Sequence, residues 1–153
     1  MNKKGFTVVE LITSFALTMV ITVFLFEVLI DIKDIYVETA VKTSIQQKLA
    51  VISKNVKRVI APRGTTVICS SSNSCVVNGA NNIIIPTGTN PITVGSQTFT
   101  LPESVTITAG SLSQECTPET QDCFLKMNLT LKHPNLSKDY TYQAVFYYCD
   151  YTK

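Results

Sequence analysis

From Leu11 to Phe26 the chain reads LITSFALTMVITVFLF, with no charge, no glycine and no proline. A run of that kind has few fates, because an all-round apolar helix must be covered by lipid, by other protein, or by copies of itself. Crossing a bilayer takes about 20 mostly apolar residues, a length reached when the segment extends from Phe6 to Ile30. The extension takes in Glu10 and Glu27, two acids that need a reason to be there. Lys3 and Lys4 precede the run, so the positive-inside rule keeps the N-terminus in the cytoplasm and sends the remainder across.

A length of 153 residues leaves room for one ordinary core. Four blocks follow from the patterning: a basic leader over 1–5, a transmembrane segment over 6–30, an amphipathic stretch over 31–60, and an extracytoplasmic β-rich part over 61–153. In the third block Val41, Ile45, Leu49, Ile52, Val56 and Val59 recur at spacings of three and four, which puts them on one helix face. Neither glycine nor proline falls between Phe6 and Ala61, so the second and third blocks are expected to form one helix, ended by Pro62 and Gly64. At about 1.5 Å per residue it would run roughly 80 Å.

The fourth block reads as strands. Leu125, Met127, Leu129 and Leu131 alternate with polar residues, the period of a half-buried strand, and the aromatic-rich run Tyr140–Cys149 suits its antiparallel return. A second hairpin is expected around Gly95-Ser96, with shorter strands in TTVIC, CVV, NIII and SVTITA. The expected fold class is α+β, one antiparallel sheet with its apolar face on the amphipathic helix.

The leader junction, KKGFTVVELI, closely resembles the class III signal of type IV prepilins and pseudopilins. The resemblance implies that a membrane-embedded prepilin peptidase cuts after Gly5 and methylates Phe6, the new N-terminal residue, and that Glu10 is the family's assembly glutamate. The electrostatics agree. A carboxylate in lipid costs several kcal/mol unless paired, and cleavage creates an amine at Phe6 that Glu10 of the same or a neighbouring subunit can neutralise. The alternative is that Glu10 only caps the helix end. For Glu27, with Asp31 and Asp34, the plain reading is the outer membrane boundary and the sharper one a subunit contact.

Ser44 to Ile60 is similar to the helix that precedes the sheet in minor pilins and minor pseudopilins. The chain is therefore expected to be a pilin-like, non-enzymatic, minor structural subunit of a type IV pilus or pilus-like filament. Its partners would be prepilin peptidase, other pilin or pseudopilin subunits, and the assembly platform protein, with the ATPase acting indirectly. Within the family the rival destinations are a competence filament and a type II secretion pseudopilus; outside it, a membrane-anchored binding domain that never polymerises. The expected location is the cytoplasmic membrane and then a surface or periplasmic filament, and the short leader points to a Gram-positive source.

All five cysteines, Cys69, Cys75, Cys116, Cys123 and Cys149, lie beyond the apolar span, where disulfides persist. Local loops Cys69–Cys75 and Cys116–Cys123 are the first choice; alternatively Cys149 clamps the Cys116 to Cys123 loop, as a C-terminal disulfide does in many pilins. Neither spacing matches the close pairs of a zinc site, so no metal and no cofactor is expected. His133 and the tyrosines Tyr140, Tyr142, Tyr147 and Tyr148 are read as turn and sheet residues. A net charge of +2 is too small to mark a nucleic-acid binder.

Overall fold

The uninterrupted stretch that follows Thr7 forms a single α-helix, α1 (Val8–Ile60), 53 residues long. These are coordinates of a computed structural model, which describes residues 7–62, 64–117 and 122–149. Gly5 and Phe6 lie outside the described residues. Lys57 and Arg58 occupy the last turn of α1, where cations suit the negative end of the helix dipole. Beyond Ile60, Pro62 cannot continue the helix, and Gly64 takes a φ of +76°.

By internal contacts the chain divides between Thr39 and Ala40. In the first unit every described side chain from Thr7 to Tyr36 is exposed. The second unit holds the core. Its helical part turns Ile45, Leu49, Ile52, Val56 and Ile60 fully inward, with Val41 and Val59 half-buried beside them, so the stripe read from the spacing is the buried face.

The strands are β1 (Val67–Ser71), β2 (Ser74–Val77), β3 (Asn81–Ile84), β4 (Ile92–Val94), β5 (Gln97–Phe99), β6 (Thr106–Cys116), β7 (Asp122–Lys132) and β8 (Tyr140–Cys149). All pair antiparallel, but in two sheets rather than the one expected: β1-β2-β3-β4-β5 and β6-β7-β8. Pro86 and Pro91 bracket the stretch where the two would join, and a residue without an N–H cannot extend a ladder. One isolated bridge, Gly88 with Ile107, forms there. Both sheets still feed one core, the first through Val77, Ile83, Ile92 and Val94, the second through Leu125, Met127, Leu129 and Leu131. A hydrogen bond between Ser53 and Tyr142 hydroxyls, 2.6 Å, ties α1 to β8.

The turn at Gly95-Ser96 joins β4 to β5 as expected, with Gly95 at φ +61°. β6 is much longer than SVTITA suggested. An irregularity between Ile107 and Ala109 leaves Thr108 as an extra residue, so that Ile107 and Leu112, five positions apart, both face the core. Inward-facing Gly110 lies between them, and a Cβ there would overlap Ile85 Cγ2.

Candidate functional site: the start of the apolar helix

The sequence Thr7-Val8-Val9-Glu10 places a hydroxyl residue three positions before an acid at the point where α1 begins, the pattern of a capping box. The structure closes it. The Thr7 amide donates to Glu10 Oε2 at 2.9 Å, the Thr7 hydroxyl donates to the same oxygen at 3.0 Å, and the Glu10 amide donates to Thr7 Oγ1 at 3.3 Å. Two amides that have no partner within the helix are thereby satisfied. Among the described residues Glu10 Oε1 accepts no hydrogen bond. The sequence signal for Thr7 is the T-x-x-E spacing alone, apart from the prepilin-like junction.

The hydroxyl side chains farther along this half satisfy themselves. Thr13 Oγ1 donates to Val9 O at 3.0 Å, Ser14 Oγ to Leu11 O at 2.9 Å, Thr18 Oγ1 to Ser14 O and Thr22 Oγ1 to Thr18 O, both at 2.7 Å. Hydroxyls bonded to their own helix need no water, so this segment can enter hydrocarbon without naked donors. Among the described residues α1 is the one helix long and apolar enough to cross a membrane, and its apolar window is wholly unburied.

Glu27, Asp31 and Asp34 lie at i, i+4 and i+7, hence on one face, and all are exposed. Among the described residues none of the three makes an ion pair or hydrogen bond. Glu10 and Glu27 are thus treated differently: the first is built into the backbone of the helix start, while the second stands free on its flank.

Cys69 and Cys75 are direct cross-strand partners of β1 and β2 and are joined, with Cα atoms 3.9 Å apart. Cys116 and Cys123 face each other across β6 and β7, joined with Cα atoms 4.0 Å apart. The local loops form, and the alternative in which Cys149 clamps the second loop does not. Backbone register puts Cys149 opposite Asp122.

Of the tyrosines, Tyr148 is buried, Tyr140 and Tyr142 pack against the core, and Tyr147 is exposed with its ring 6.1 Å from that of Phe124. His133 sits in the turn after β7 and accepts from the Asn135 amide through Nδ1 at 3.0 Å. Among the described residues no group of three or more histidine, cysteine or acidic side chains converges as metal ligands would. An N-terminal apolar helix, antiparallel sheets and two disulfides are compatible with a pilin-like architecture. No protein-family model, curated protein or solved structure matches the chain.

Proposed function

We propose that this chain is the precursor of a structural subunit, of the minor class, of a type IV pilus or pilus-like filament. Prepilin peptidase removes residues 1–5 by cutting after Gly5 and methylates Phe6, and the subunit then assembles through the first half of α1. The observation that carries the reading is the pairing of the KKGFTVVELI junction with a helix whose side chains from Thr7 to Tyr36 are all exposed. An apolar surface of that extent needs lipid before assembly and neighbouring helices after it.

Glu10 supplies the register. Its Oε2 is held by Thr7, while Oε1 has no donor among the described residues. Cleavage frees an amine on Phe6, the residue joined to Thr7. An amine from a neighbouring subunit reaching Oε1 neutralises the carboxylate as the helix leaves the bilayer, and fixes how far one subunit is staggered along the next. Lys3 and Lys4 hold the leader on the cytoplasmic side, and the two-sheet domain is translocated. The role is structural, with the driving force for extension supplied by other components.

Mass spectrometry of the mature chain from cells that contain the peptidase tests this. The expected N-terminus is Phe6 carrying one added methyl group. A chain that retains its first five residues in such cells overturns the proposal.

A further inference from the structure

We propose that β8 is a docking edge for a second copy of this chain, the two β8 strands pairing antiparallel about a two-fold axis at Ala144. The inference does not depend on the filament reading, since it concerns only the sheet domain.

β8 pairs with β7 on one side and is the outer strand of its sheet. Among the described residues no backbone hydrogen bond from elsewhere reaches the stretch 140–147. Natural edges are blunted by lysine, proline, bulges or brevity, because a row of unpaired amides and carbonyls recruits another strand. This one has none of those devices. The run YTYQAVFYYC contains no charge, no proline and no glycine over its 10 residues, and its pairing with β7 is unbroken from Tyr140 to Cys149. Its outward face carries Thr141, Gln143, Val145 and Tyr147, the last two 40% and 78% exposed.

Charge and length choose the occupant. An uncharged edge offers nothing to a charged strand, which would have to give up water to reach it. Of the other strands here, β6 contains Glu115, β7 contains Asp122, Lys126 and Lys132, and β1 to β5 have 5 residues or fewer. Only β8 of another copy matches β8 in both respects. Antiparallel pairing centred on Ala144 also preserves the two faces. Tyr140 then meets Tyr148 and Tyr142 meets Phe146 on the core side, while Thr141 meets Tyr147 and Gln143 meets Val145 outside. Cross-strand aromatic pairs of this kind stabilise a sheet. A slip of one residue would turn the core-facing side chains outward.

The test uses the full chain in detergent micelles, with Cys149→Ser removing the odd thiol and Ala144→Cys placing one at the axis. Directly opposed positions that are not hydrogen-bonded have Cβ atoms about 4.5 Å apart, the upper end of disulfide reach. Mild oxidation should give a dimer linked through position 144, while Thr130→Cys on the interior strand β7, in the same Cys149→Ser background, should not. Adding Gln143→Lys with Val145→Lys sets like charges opposite each other twice, and the dimer should be lost. Adding Gln143→Lys with Val145→Glu sets unlike charges there, and it should return. Peptide mapping of Cys69–Cys75 and Cys116–Cys123 verifies folding in each variant. In folded protein, absence of the linked dimer, its survival in the double-lysine variant, or its loss in the lysine–glutamate variant overturns the proposal.

Discussion

Thr7 and Glu10 complete each other's hydrogen bonding across the first turn of α1, each donating its amide to the other's side-chain oxygen, at 2.9 and 3.3 Å. The helix start is therefore closed before any partner arrives. Among the described residues Glu10 Oε1 has no donor, so capping the helix and pairing an amine are compatible tasks for the same carboxylate. That separates two contributions that a single deletion would mix, and variants at the two positions can pull them apart.

Glu10→Ala removes both tasks, whereas Glu10→Gln retains an oxygen for the Thr7 amide but no charge. Under the proposed pairing both variants should be inserted in the membrane and displayed, and both should be missing from the sheared filament fraction on immunoblots. If the Gln variant entered filaments as well as the parent, Glu10 would be a cap and the charge pairing would be wrong. A simple membrane tether would show no difference among the three proteins in domain display, and none would sediment with filaments.

Thr7→Ala leaves the charge in place and removes the cap. Losing a Thr cap costs about 1 kcal/mol, which corresponds to roughly fivefold faster exchange of the Glu10 amide if local fraying controls it. Hydrogen exchange in micelles reads this directly, and Thr7→Ser should restore protection because the hydroxyl is kept. Equal exchange in all three forms would mean that the hydrogen bond to Thr7 Oγ1 contributes nothing to the helix start.

Much of this architecture was legible because it rests on periodicity. The stripe Ile45, Leu49, Ile52 and Val56, the alternation Leu125 to Leu131, and the inward-facing Tyr142, Phe146 and Tyr148 of β8 are each set by which side chains must leave water. The local cysteine pairs were legible because six- and seven-residue separations fit across one hairpin. What escaped depended on backbone detail. After Gly110, β6 has Leu112 as its only core residue, and the extra residue at Thr108 shifts the alternation, so no period-two pattern marks its second half. Division into two sheets leaves only the isolated bridge of Gly88 with Ile107 outside the named strands, a pairing visible only once the fold is known. At the helix start, the charge of Glu10 is evident from the residue alone, whereas its capture by the Thr7 hydroxyl depends on how the first turn closes.

Replacing both cysteines of a bridge by alanine should cost about 2 kcal/mol for either pair, since separations of 6 and 7 close loops of nearly equal entropy. The midpoint of urea unfolding, followed by circular dichroism of the full chain in micelles, gives the two values. Because the bridged residues are already direct neighbours across their strands, neither replacement should alter register. A loss far above 4 kcal/mol for one pair would show that its bridge maintains the hairpin itself rather than restraining the unfolded chain.

Gly110 and Ile85 give the sharpest test of the core. Ile85 is fully buried, and its Cγ2 occupies the space where a Cβ of Gly110 would lie. Gly110→Ala should therefore destabilise by about 1 to 3 kcal/mol through overpacking, even though alanine suits a strand better than glycine. Ile85→Ala should cost about 2 to 5 kcal/mol through the cavity it opens. Combined, the two changes should cost less than their sum, because the new methyl enters space the isoleucine has vacated. Urea midpoints of the four proteins complete the cycle. Strict additivity would mean that β6 shifts away from Ile85 when Gly110 gains a side chain, and that the close approach is not what keeps this position a glycine.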